Sequence, residues 1–251
     1  MKPAEKQRPA RLGGALISTR VAARLLQELT GGRYAHDDRL PPEVELAGAL
    51  QVSRTVVRDA LSELERGGYI ERVRGIGTVV NRGVVRLQDR MDRKLEFTRL
   101  ITATGHTPHT DHLLVTRQAA EAETAEKLGI QEGQTVLVIS KRMLADDIPV
   151  LFCTDVLPMT LFDSTKPDAI DFARPIFEVL QEECGVQTTS TVTRLRAVTG
   201  DAAGGRRRQR PPHKALLELD EVCYSRLCRP VVHSRTLYTD YFDFALVRKL
   251  V

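Results

Sequence analysis

Residues 40–68, LPPEVELAGALQVSRTVVRDALSELERGG, constrain the local fold more than any other stretch of the chain. Two short helical patterns meet at a tight Leu50-Gln51-Val52 turn. The second opens on Ser53, whose hydroxyl can satisfy free backbone N–H groups of a first helical turn. Val57, Leu61 and Leu64 recur at i, i+4 and i+7 and so line one buried stripe. The opposite side carries Arg54, Thr55, Arg58 and Ser62. A helix with a packed back and an arginine-rich front at its N-terminal end is what a helix-turn-helix sets into a DNA major groove.

Gly67-Gly68 supplies the helix stop, since glycine tolerates the left-handed conformation there. Tyr69–Val73 and Thr78–Val80 then read as two short strands around Arg74-Gly75-Ile76-Gly77. This hairpin predicts a wing, with Arg74 at its tip and Gly75 letting the backbone lie close to a surface. The plainer alternative is a small helical subdomain with a solvated basic face. Cap, turn, stop and wing in that order favour the DNA reading.

The same residues resemble the winged helix-turn-helix of GntR-type bacterial transcription regulators. LPPEVELA, VSRTVVRDALSELERGG and RGIGTVV follow that family's pattern over about forty positions. The resemblance places Arg54, Thr55 and Arg58 on DNA, Ser53 on a phosphate, and Arg74-Gly75 at the wing. Val44 and Pro42 stand where the family carries Arg and Ser, which implies one contact fewer per half-site. Charge agrees with a nucleic-acid role confined to one end. The first ninety residues hold 16 Lys and Arg against 11 Asp and Glu, whereas the whole chain of 251 holds 37 against 33. The entire excess of positive charge therefore sits with the helix-turn-helix.

Four segments are expected: a frayed tail over 1–15, the DNA-binding domain over 16–81, a linker over 82–94, and a second domain over 95–251. The helical pattern at 16–30 offers Leu16, Val21, Leu25, Leu26 and Leu29 to the first core. In the second domain, strands are predicted at 109–116, 135–144, 149–157, 186–198, 215–225 and 230–240. Helices are predicted at 119–128 and 172–184, the latter with Pro175 in its first turn. Pro149-Val150 and Pro230-Val231 each open the return strand of a hairpin, a weak internal repeat. It suggests an antiparallel sheet of two similar halves with helices on one face, hence an α+β chain.

That order is similar to the UTRA effector domain of the HutC branch of GntR regulators, which shares the chorismate lyase fold. The similarity rests on GHTP (105–108), RMLADDIPV (142–150), DVLP (155–158) and RPVVHSRTLYTDYFDF (229–244). It implies an effector site in which Arg142 grips an anionic group. Lys141 is its neighbour on the other strand face, and Phe177, Ser234 and Tyr238 are further contacts. His233 points away from Ser234 and Tyr238. Pro175-Ile176-Phe177 replaces a Ser-Leu-Tyr found in sugar-phosphate sensors, and Val232 replaces a Glu. Both changes remove polar partners, so a carboxylate or less polar effector is expected rather than a phosphosugar.

His106, His109 and His112 lie three apart but on an approach to a strand, where alternate residues diverge, so no metal site is expected. No cofactor is implied either. Cys153, Cys184, Cys223 and Cys228 lack CxxC spacing and read as reduced thiols of a cytoplasmic protein. No apolar run has transmembrane length, and no membrane partner is expected. Gly204–Arg210, GGRRRQR, reads as a solvated loop, a second nucleic-acid patch or an altered helix. The resulting expectation is an effector-responsive, homodimeric regulator of palindromic operator DNA, in this family most often a repressor. A chorismate lyase-like enzyme is the alternative from another class, although no nucleophile–base pair stands out. A DNA-compacting protein is the third reading, and the modest net charge of +4 opposes it.

Overall fold

A computed structural model describes residues 17–87, 89–93, 96–162, 167–200 and 214–249. The expected tail, Leu16, Leu95 and the 204–210 segment lie outside the described residues. The described residues form two compact units: one runs to Arg90 and resumes at Ala245, and the other is Met91–Phe244.

In the first unit, α1 (Ile17–Gly31) is followed by a short β1 (Arg39–Leu40), then α2 (Glu43–Leu50) and α3 (Arg54–Arg66). The wing strands β2 (Ile70–Val73) and β3 (Gly77–Val80) close an antiparallel sheet of order β1-β3-β2. The core joins Leu25 and Leu29 of α1, Leu46 of α2, and Val57, Leu61 and Leu64 of α3 to Ile70 and Val80. Each such side chain contributes about 1.5–3 kcal/mol on burial. Between α2 and α3, Gln51 takes a left-handed conformation (φ 54°), and its N–H closes back on Ala47 and Gly48.

The expected linker is different at its start. Asn81 caps α4 (Arg82–Val85), and Val84 and Val85 are buried in the first core. Arg82 donates to the Leu29 and Tyr34 carbonyls, and Arg90 donates to Gly67 O at 2.8 Å while lying over the Tyr69 ring. Residues 82–90 thus belong to the first unit: two valines anchor a segment whose arginines serve as its hydrogen-bond donors. Ala245 N donates to Asp89 O, which brings the C-terminal segment into the same unit.

The second unit contains α5 (Phe97–Ala103), β4 (Pro108–Ala119), α6 (Ala122–Leu128), β5 (Thr135–Ala145) and β6 (Ile148–Pro158). After it come α7 (Ile176–Glu183), β7 (Thr188–Thr199), β8 (Ala215–Ser225) and β9 (Pro230–Tyr238). One antiparallel six-stranded sheet results, of order β4-β5-β6-β9-β8-β7. The repeated hairpins are β5–β6 and β8–β9, set back to back through β6–β9 pairing. Pro175 immediately precedes α7 as its N-cap residue instead of occupying its first turn.

Helices cover both faces of this sheet, not one. On one face α7 and α5 pack over Leu137, Ile139, Leu151, Cys153 and Val232. On the other, α6 sets Ala125 and Leu128 against Val136, Val138 and Val156. The period of two along each strand makes this necessary, because β5 is apolar at both odd and even positions.

Under α6 lies a buried ionic cluster. Lys127 Nζ donates to Asp220 Oδ2 at 2.7 Å, and His233 Nε2 donates to Asp220 Oδ1 at 2.9 Å. Burial works to raise the Asp220 carboxyl, but the bonds from Lys127 and His233 outweigh it and leave it below the usual range. Burial, followed by the Lys127 charge, holds the His233 imidazole below its ordinary value. Between that depressed value and about 6.5, the unfolded chain binds a proton that the folded chain refuses, so stability falls as pH drops through this window. Thermal melts of the full chain at about pH 7.5 and about pH 5.5 should show this decline, and His233→Asn should have a shallower one. Equal slopes in the two proteins would contradict the assignment.

Candidate functional site

The first site is the N-terminal end of α3. Ser53 accepts a hydrogen bond from Val56 N at 3.3 Å and so caps the helix. Val57, Ala60, Leu61 and Leu64 are buried, which turns Arg54, Thr55 and Arg58 outward, all exposed. Arg54 makes no hydrogen bond or ion pair among the described residues. Arg58 reaches Glu43 at 3.4 Å across a solvated gap, a contact of small energy. Ser62 faces a different way from the sequence expectation: it is half-buried, and its hydroxyl accepts from Arg72. Arg72 is also held by Glu65, and that bond keeps the Glu65 carboxyl below its usual range.

The wing turn brings Arg74 and Gly75 to an exposed tip, with Arg39 bracing Ile76 O. Gly75 (φ 78°) and Gly77 (φ 106°) adopt conformations that L side chains rarely reach, which explains the glycines at these positions. Val44 is 58% exposed in the first turn of α2, beside an N-cap Pro42 that offers no side-chain acceptor. The arrangement is a positively charged, hydrogen-bonding surface built on a rigid helix, suited to phosphates and base edges.

The second site is a small pocket, partly open to solvent, on the α5/α7 face of the sheet. Phe97, Ile176, Phe177 and Val232 form its apolar wall. Lys141, Asp155, Ser234 and Glu96 supply its polar groups. Register explains the convergence: Asp155 pairs with Ile139 on one side and Ser234 on the other, while Lys141 pairs with Cys153. Lys141 Nζ donates to Arg174 O at 3.2 Å. The Asp155 carboxylate accepts from the Cys153 thiol at 3.3 Å through Oδ1, and its Oδ2 has no partner. Burial and the neighbouring Asp155 charge push the Cys153 thiol far above its ordinary value.

Among known proteins, the model described as "UTRA domain" matches residues 103–241, and that of "Bacterial regulatory proteins, gntR family" matches 17–80. The chain belongs to the GntR family and carries a UTRA domain. The HTH-type transcriptional regulator Rv0792c of Mycobacterium tuberculosis is 30% identical over 160 residues, 62% of this chain and 56% of that protein. The histidine utilization repressor of Pseudomonas putida is 32% identical over 124 residues, 49% of each. The chain thus spans about half the length of these two relatives. A crystal structure of PhnF from Mycobacterium smegmatis covers 91% of this chain and 99% of its own, with 26% identity and a TM-score of 0.55.

Within this GntR-family chain, three of the five expected effector contacts line the pocket: Lys141, Phe177 and Ser234. Arg142 does not. The odd-numbered residues of β5 face α7, so Arg142 projects from the opposite face and holds Asp111, with Nε to Oδ1 at 2.8 Å. Tyr238 is buried among Phe97, Phe242 and Phe244 and is absent from the pocket lining; burial raises its phenol well above the usual value. His106 and His112 take separate carboxylate partners, Asp146 and Asp111. Sequence reasoning missed Asp155 and the contribution of α5. A signal for Asp155 was present: Leu151, Cys153, Asp155 and Leu157 form an inward row with one carboxylate in it.

Replacing Arg142 with Ala removes a half-buried ion pair worth about 1 kcal/mol, and should lower the melting temperature by roughly 2–4 °C. Calorimetry should find ligand affinity at the pocket unchanged in that variant. A large loss of affinity would return Arg142 to the site.

Proposed function

We propose that this GntR-family chain is an effector-responsive repressor of the cytoplasm. As a homodimer it binds a palindromic operator through α3 and the wing, and a small metabolite seated in the UTRA pocket releases it. The observation that carries the reading is the N-terminal end of α3, where a packed back fixes Arg54, Thr55 and Arg58 on an exposed, capped helix. Ser53 serves a phosphate through its hydroxyl proton, and Arg74 with Gly75 reaches the flanking backbone.

Dimerisation follows from the small number of base pairs that one helix can read. Two copies related by a two-fold axis double the contacts and match an inverted repeat. The two opposite edge strands leave Leu113, Leu114 and Val115 on β4, and Val192 and Leu195 on β7, exposed, and a second copy would cover one of these edges. Effector binding favours one arrangement of the DNA-binding heads only by the difference in its affinity for the two. Lys141 replaces Arg142 as the group that meets an anionic part of the effector, and the apolar wall suits a carboxylate over a phosphosugar. Catalysis is not part of the proposal, since the family and the matched relatives are transcriptional regulators.

Arg54→Ala and Arg58→Ala should each weaken operator binding by roughly 1–3 kcal/mol, measured by fluorescence anisotropy. Light scattering should give twice the 28.0 kDa chain mass. Unchanged affinity in both variants would remove α3 from the DNA, and a 28.0 kDa particle would remove the dimer.

A further inference from the structure

The polar half of the pocket holds two opposite charges that do not satisfy each other. Lys141 is 6% exposed and Asp155 is 2% exposed. They lie on the same sheet face, one diagonal step apart across β5 and β6. Residues so placed sit roughly 7–8 Å apart at the backbone, and long side chains can close that gap. Here they do not. The Lys141 ammonium turns to the Arg174 carbonyl, and among the described residues it has no carboxylate partner. Asp155 keeps only the weak thiol bond on Oδ1, and Oδ2 is buried without a partner. An isolated buried charge is costly, and a pair that could neutralise itself but is held apart leaves room for something between.

We propose that the UTRA pocket is built for a small zwitterion, with a carboxylate against Lys141 and a protonated nitrogen against Asp155. The stem of such a ligand lies along Ile176, Phe177 and Val232, and the Ser234 hydroxyl, in register with Asp155, offers a further hydrogen bond. Glu96 also lines the pocket. The unpartnered Asp155 carboxylate opposes a dianionic ligand and favours one that brings a cation of its own. Asp155 is thus the residue that sets specificity, separating amino-carboxylates from plain carboxylates. The inference rests on the effector-sensing reading given above, but it is tested on protein without DNA. A failed regulatory reading therefore shows only in operator release, and a failed pocket reading only in ligand binding.

The probes are straight-chain ω-amino carboxylates from glycine through 4-aminobutyrate to 6-aminohexanoate, each set against its length-matched carboxylate and amine. Thermal shift and calorimetry on the full chain should find at least one amino-carboxylate that binds more tightly than both matched compounds. Asp155→Asn should reduce that affinity about tenfold or more while leaving the matched carboxylate within about twofold. Lys141→Met should weaken both. In the absence of ligand, Asp155→Asn should melt a few degrees higher, roughly 2–4 °C, because an unpartnered buried charge has been removed. The proposal is overturned if no amino-carboxylate exceeds its matched compounds, or if Asp155→Asn binds as the parent does. A lower melting temperature in that variant would also overturn it, by showing that the carboxylate holds the fold.

Discussion

The pairing of β6 with β9 is the constraint on which the second unit depends. It joins two hairpins that are distant in the chain and sets their register, and register decides which residues share a face. Asp155 faces Ser234 because of it, and Lys141 joins them through the β5–β6 ladder. A slip of one residue would send Lys141 and Asp155 to the α6 face and bring Arg142 and Thr154 inward. The polar convergence in the pocket is therefore a consequence of strand pairing, not of any local motif.

The first unit follows a different logic. There the apolar stripe of α3 is fixed by contacts with α1 and α2, and the helix cap and the wing glycines are local. Rigidity at the back of α3 leaves its exposed arginines free to act. Where an arginine is already neutralised, as Arg72 is by Glu65, it braces the wing root.

These two logics explain what could be read from the sequence. The helix-turn-helix was legible residue by residue, since caps, glycine stops and a 3.6-residue period are local signals. The strands of the second unit and their pairing into repeated hairpins were also visible. The facing of the strands was not, because β5 is apolar on both sides: alternation alone does not separate Lys141 from Arg142, and Arg142, the expected ligand cation, pairs with Asp111 on the other face. Two valines were too few to mark α4 against a polar background, so residues 82–90 read as linker. Tyr238 shares the face of Ser234 as expected, but Phe97 of α5 and Phe242 and Phe244 just beyond β9 enclose it. Packing of that kind, on irregular chain after the strand and on a distant helix, has no sequence period.

The central claim is that α3 and the wing, in two symmetry-related copies, read DNA. Selection of bound sequences from a random duplex pool by the full-length, ligand-free protein tests it most directly. The account predicts enrichment of an inverted repeat whose half-sites lie about one helical turn apart, centre to centre. Recovery of a single asymmetric half-site, or of no sequence above the starting pool, would contradict it.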